Sequence, residues 1–324
     1  MTSEQARAFW VTAPGHGAIR DESLPIPTST DATVRTRYSG ISRGTEALVF
    51  GGRVPDAERQ RMRAPFQSGD FPAPVKYGYC NVGEVEAGPE ALVGRLVFSL
   101  FPHQTRFVIP ASALHVLPAD VPAGRAVLAA NVETAINGVW DADIQPGDRV
   151  AVVGGGTVGC LVAWIAGQVP GTEVCLVDTN PARAAVAAAL GVGFATPEQA
   201  PGERDVVVHA SGSPRGLALA LTLAAFEATI VEMSWFGTQS VPLSLGESFH
   251  AKRLSIRASQ VGHVSPSHRA RWSYGRRMAL ALTLLGAPAL DVLISGESAF
   301  EDLPAVMQAL AAGERDALCH RIRY

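Results

Sequence analysis

The residues with the most chemical meaning by type and spacing are Gly154-Gly155-Gly156-Thr157-Val158-Gly159. They follow the apolar run "RVAVV" and open an apolar segment with helical periodicity. Glycine at 154 permits a tight turn, glycine at 156 lets the backbone approach a pyrophosphate, and glycine at 159 lets the helix pack against the strand. The helix start presents free N–H groups and the positive end of a dipole to phosphate. The spacing alone is common. Here a second apolar run, "EVCLVD", ends in Asp178, 19 residues beyond Gly159. Its carboxylate can accept hydrogen bonds from ribose hydroxyls and would repel a 2′-phosphate, which predicts NAD(H) ahead of NADP(H). Asp178 with Thr179 and Asn180 also suits a helix N-cap, so that alternative stays open. Arg183 would lie along the following helix or over an adenine. Ser211, in "HASGSP" after a third strand-like run, is either a neighbour of the cofactor or a turn residue.

A second group is basic. Arg43, Arg63 and Lys76 stand in the first third of a chain with only two lysines, Lys76 and Lys252. If the three converge, they suit a carboxylate or phosphate on a substrate; otherwise they are solvated charges.

The elements that must position these residues come in two kinds. The first third alternates short β-like runs with Pro and Gly, as in "ATVRTRYSG", "VGEVEAG", "GRLVFSLF" and "TRFVIPA", which predicts antiparallel strands. Residues 51–74 read as a loop or short helix. From 124 the pattern turns helical, then apolar strands and helices alternate: helices at 157–168, 181–190 and 214–225 lie between "RVAVVG", "EVCLVD", "DVVVHAS", "ATIVEMSW" and "RLSIRAS". Near-continuous apolar strands separated by helices predict a doubly wound parallel sheet covered on both faces, the Rossmann arrangement. Residues 265–287 read as helical, and 290–324 as strand, helix and terminal strand.

The bulk numbers fit a compact α/β protein. The 324 residues are 47% hydrophobic and carry a formal charge of −3, without a basic tail or charge block, so nucleic acid is not an expected partner. The N-terminus lacks the pattern of a signal peptide and no apolar run suits a membrane span, which makes the cytoplasm the expected location. Cys80, Cys160, Cys175 and Cys319 are scattered and read as ordinary core thiols.

In order, these blocks resemble the medium-chain dehydrogenase/reductase superfamily over essentially the whole chain. "YSGISRGTE" resembles its first active-site loop, "KYGYCNVGEVEAG" the segment usually carrying Gly-His-Glu, "ETAINGVW" the helix facing the nicotinamide, and "FEDLPAVMQALAAGE" its last helix. The "GIS-x-GTE" loop with "GY" is most similar to a zinc-free branch that includes bacteriochlorophyllide dehydrogenase. The resemblance implies a β-rich, GroES-like catalytic domain from 1–124 and 264–324, a Rossmann domain from 125–263, and nicotinamide and substrate in the cleft between them. It implies a homodimer paired through edge strands, here "RLSIRASQV". Thr134 matches a residue that packs against nicotinamide.

Zinc-dependent relatives place Cys, His and a further Cys or Glu around an open metal position. This sequence has Ser42, Tyr79 and Ala130 there, with Cys80 where a neighbouring Glu would be, so no zinc is expected. Hydride transfer without a metal needs hydrogen-bond donors at the developing oxyanion and a group that holds the proton. Ser42, Thr45, Tyr79 and His103 are the candidates, and Trp235 in "EMSWFG" would wall the substrate pocket. His209 and His250 read as structural partners. The expected reaction is reversible alcohol/carbonyl hydride transfer on a small molecule. Reduction of a C=C bond conjugated to a carbonyl, and nucleotide binding without turnover, are the alternatives.

Overall fold

The computed structural model describes residues 5–324. Its elements are, in order, β1 (Gln5–Ala13), β2 (His16–Ser23), β3 (Asp31–Ile41), α1 (Arg43–Phe50), β4 (Ser68–Gly69), β5 (Val75–Lys76), β6 (Asn81–Ala87), β7 (Leu96–Ser99), β8 (Arg106–Pro110) and β9 (His115–Val116). There follow α2 (Ala129–Ala142), β10 (Arg149–Val153), α3 (Thr157–Ala166), β11 (Glu173–Val177), α4 (Arg183–Ala189), β12 (Gly193–Ala195), β13 (Arg204–His209), α5 (Pro214–Leu223), β14 (Ala224–Glu232) and β15 (Ser255–Ala258). The chain closes with α6 (Tyr274–Leu284), β16 (Ile294–Ala299), α7 (Leu303–Ala312) and β17 (Cys319–Arg323). Among the described residues no helix is long and apolar enough to cross a membrane.

Two compact units result: Met1–Ala130 with Leu282–Tyr324, and Asn131–Ala281. The division places 264–281 in the second unit, whereas the sequence reading ended the Rossmann domain at 263. Arg277 accounts for that assignment. Its buried guanidinium binds Glu133, Asn137 and the carbonyls of Val261 and His263, tying the chain after β15 to α2.

The first unit is built on two sheets. One has the order β2-β1-β5-β4; the other runs β16-β17-β3-β6-β7-β9, with β8 also on β3. Ala32 and Val34 of β3, Val85 of β6, Val97 of β7, and Phe107 and Ile109 of β8 meet in one core. The second unit holds one parallel sheet in the order β12-β11-β10-β13-β14-β15. Val150–Val153 and Val206–Val208 are buried on both faces, as expected of strands covered by helices on each side. β15 is the edge strand, and all four of its residues are exposed.

The helix expected over 265–287 begins only at Tyr274. The preceding turns let His268 stack on Trp140 at 4.1 Å with ring planes 6° apart. Ser273 then caps the helix, its Oγ accepting the Arg276 N–H at 3.2 Å. Residues 290–293, expected as strand, belong to a short 3₁₀ turn before β16.

Candidate functional site

In the second unit, Gly154 follows β10 with φ +113°, a conformation that L side chains rarely adopt. A Cβ on Gly159 would lie 1.8 Å from the Gly154 carbonyl oxygen, so the start of α3 sits directly against the turn. A Cβ on Gly156 would meet no protein atom within 4 Å. Packing within the chain therefore gives no reason for glycine at 156, whereas the close approach of a phosphate does. Thr157 and Val158 open α3 and are partly buried.

Asp178 follows β11 and binds the loop from outside. Its Oδ2 accepts the Gly155 N–H at 2.6 Å and its Oδ1 the Asn180 N–H at 2.8 Å. Asp178 does not cap α4: Asn180 Oδ1 accepts the Ala182 N–H at 3.0 Å before that helix, and each Asp178 carboxylate oxygen keeps a further lone pair for a hydroxyl. Arg183 is buried beside them, its Cγ 3.1 Å from where a Gly155 Cβ would stand. Across the loop, the Ser211 nitrogen is 2.5 Å from the position of a Gly154 Cβ. Ser211 is exposed, and Thr134 and Trp235 are partly buried. The residues of this unit fit a dinucleotide: a glycine cradle at a helix start, and a carboxylate at the next strand end.

Two residues not singled out as site members join this group. His209 closes β13 in register with Glu232 at the end of β14. His209 Nδ1 is 2.7 Å from Glu232 Oε2, and His209 Nε2 is 2.6 Å from Ser211 Oγ. The expected structural role of His209 is thus accompanied by a direct bond to a residue of the cofactor loop. Histidine and glutamate closing adjacent apolar strands was the available signal.

In the first unit, Ser42 is the N-cap of α1 and Thr45 lies in its first turn. The Tyr79 hydroxyl is hydrogen-bonded to both side chains. Burial, with Cys80 and Glu46 nearby, pushes the Tyr79 phenol well above the ordinary tyrosine range, and the two hydroxyl bonds oppose that shift only in part. Three neutral hydroxyls thus gather, all partly buried. His103 is placed by Gly78, where a Cβ would come within 2.9 Å of the imidazole Cδ2. Its Nε2 is 2.8 Å from Glu46 Oε2 and its Nδ1 is 2.7 Å from Ser39 Oγ. Ser39 Oγ continues to the Tyr324 hydroxyl at 2.9 Å. Glu46 Oε1 accepts the Ser42 N–H at 2.8 Å, so one carboxylate joins the histidine to the start of α1. Glu46, Ser39 and Tyr324 escaped the sequence reading because nothing local marks them. Among the described residues, no group of three or more His, Cys, Asp or Glu side chains could hold a metal ion.

Each of the three cations expected at a substrate has an ion-pair partner of its own. Lys76 is buried, with its Nζ on Glu22 at 2.6 Å and on Gln104 at 2.7 Å. Arg63 binds Asp70 at 2.5 Å, and Arg43 reaches Asp316 at 3.9 Å. Each charge has its own acidic partner, and that of Lys76 is consumed inside the fold.

No family model matches the chain. The 2-dehydro-3-deoxy-L-galactonate 5-dehydrogenase of Pseudoalteromonas atlantica is 28% identical over 186 residues, 56% of this chain and 49% of that protein, so the match spans about half the relative's length. The D-guloside 3-dehydrogenase of Escherichia coli K12 is 24% identical over 297 residues, 82% of this chain and 84% of that one. Among solved structures, L-idonate 5-dehydrogenase from Escherichia coli K-12 superposes with a TM-score of 0.80 at 16% identity, covering 100% of this chain and 99% of that one. A short chain alcohol dehydrogenase from Escherichia coli CFT073, complexed with NADH, gives 0.77 at 16% identity with full coverage of both chains. The fold is that of the medium-chain dehydrogenases/reductases, a Rossmann unit joined to a GroES-like unit.

Proposed function

We propose that this chain is an NAD(H)-dependent oxidoreductase of the medium-chain superfamily, in its zinc-free branch, interconverting an alcohol and a carbonyl on a small molecule. The observation that carries the reading is the Gly154–Gly159 cradle with Asp178 hydrogen-bonded across it. The curated relatives, both dehydrogenases by name, support it. Gly154, Gly156, Thr157, Val158 and Gly159 would hold the diphosphate, Asp178 with Arg183 the adenosine ribose, and Thr134 and Ser211 the remainder. When bound, the nicotinamide supplies or accepts the hydride.

The protein's part is to orient the substrate and handle one proton. Ser42, Thr45 and Tyr79 present hydroxyls that can bind a carbonyl oxygen and steady charge developing on it. The raised pKa of Tyr79 keeps its proton available as a donor at neutral pH. His103, on Glu46, stands behind them as the group that can hold a proton. A serine hydroxyl, a phenol and the Ala130 methyl do not make a zinc site, so no step is assigned to a metal. Arg43 and Arg63 are exposed enough to meet an anionic group on a substrate, and Trp235 is proposed to wall the pocket. A homodimer through the exposed β15 edge completes the reading; a mass of 34.0 kDa by light scattering would contradict that part.

The test is a titration of the purified protein with NADH and NADPH, followed by tryptophan quenching, then NAD⁺ reduction with a polyol and sugar-acid panel including L-idonate. Tight NADH binding with NAD⁺ reduction is expected. Absence of binding by either nucleotide would reject the reading, and one activity-linked zinc per chain would reject its metal-free form.

A further inference from the structure

We infer that the His209–Glu232 pair fixes the direction in which the Ser211 hydroxyl bonds. It makes Ser211 an acceptor for a hydroxyl or amide N–H of the bound cofactor, and denies it to phosphate oxygens. This rests on the dinucleotide reading above.

The direction follows from counting hydrogens. Glu232 can only accept: Oε1 takes the Ser234 N–H at 2.6 Å, and Oε2 faces His209 Nδ1 at 2.7 Å. The hydrogen of the neutral imidazole therefore sits on Nδ1, and Nε2 carries a lone pair. Ser211 Oγ, 2.6 Å from Nε2, must donate its only hydrogen there. The Ser213 N–H donates to the same Oγ at 3.2 Å, which uses one of its two lone pairs. One lone pair remains, and Ser211 is exposed while His209 is fully buried. What this device offers a ligand is a single acceptor, held against the first glycine of the cofactor loop.

The surroundings keep the pair in place. On α5, Gly216 leaves room where a Cβ would fall 2.3 Å from Ser211 Oγ and 2.8 Å from His209 Nε2. Phe236 lies parallel to the imidazole with ring centres 6.1 Å apart, and Ser234 Oγ is 3.3 Å from Nδ1. Among the described residues, Glu232 is the charged group in contact with His209.

The test measures NADH affinity by tryptophan quenching at fixed pH and ionic strength. Ser211→Ala should bind about fivefold or more weakly than the wild-type chain. Glu232→Gln is the decisive variant. Its amide oxygen must still accept the Ser234 N–H, so its NH₂ faces Nδ1 and forces the other tautomer. It should show the same weakened affinity, although shape and volume are conserved. Unchanged affinity in Ser211→Ala or in Glu232→Gln would overturn the inference while leaving the cofactor reading intact. Failure of the wild-type chain to bind NADH or NADPH would overturn both.

Discussion

Glu46 and His103, 57 positions apart, meet at 2.8 Å with 3% and 1% of their surface exposed. One carboxylate thereby serves both the imidazole and the backbone N–H of Ser42 at the start of α1. Removing it strands two buried donors at once. Glu46→Ala should lower stability by about 3 kcal/mol, the usual scale for breaking one side of a buried pair. Glu46→Gln, which keeps an acceptor, should lose less. Thermal unfolding of the two variants checks this, and equal melting temperatures would contradict the shared role.

The glycine loop separates fold from binding. Gly159→Ala places a methyl 1.8 Å from a backbone oxygen and should destabilise the second unit severely. Gly156→Ala meets no protein atom and should leave thermal stability within about 1 kcal/mol, the scale of glycine against alanine at a helix N-cap. It should nonetheless weaken NADH binding about tenfold or more. Tryptophan quenching beside a melting curve tells the two effects apart.

Lys76 allows a similar separation in the first unit. Its ammonium bonds Glu22 and Gln104 and lies within 5.8 Å of the Trp10 ring centre and 6.0 Å of that of Phe101. Lys76→Met should cost about 2 to 3 kcal/mol of stability, because Glu22 and Gln104 lose a buried partner. NADH affinity should stay as it was. A variant of unchanged stability but altered KM for an acidic substrate would restore the substrate-binding role.

Alkaline pH should expose the buried phenols. Burial is the largest cause raising the pKa of Tyr77, Tyr79 and Tyr324 above the ordinary value. A group that keeps its proton in the folded state, and loses it near pH 10 when unfolded, contributes stability below that pH and loses it above. Melting temperatures should therefore fall from about pH 10 upward. The tyrosinate absorbance of these three phenols should appear in step with unfolding, not before it. Full tyrosine ionisation in a folded chain at about pH 11 would contradict the burial.

What the sequence revealed and what it hid follow from contact range. The dinucleotide loop was legible because strand, turn and helix are consecutive, and Asp178 closes the next strand. The Glu46–His103–Ser39–Tyr324 chain was not, since β3, the loop before β8 and the end of β17 come together only through sheet pairing. The pairing of Lys76 was not legible either, because a lone cation in a β-rich segment carries no sign of the Glu22 that pairs with it 54 positions away. The overlong helix at 265–273 failed for a third reason: stacking of His268 on Trp140, with Trp272 tilted against the same ring, outweighs local helical preference.

Cys80, Cys160 and Cys319 are buried, and burial pushes Cys160 and Cys319 up to about 12 and raises Cys80 as well. A thiolate, not a thiol, attacks disulfide reagents. The folded protein should therefore offer Ellman's reagent no more than the one partly exposed thiol, Cys175, and turn fully yellow only as molecules open. The chain carries its own stopwatch for unfolding, readable in a cuvette without a label, a ligand or a substrate.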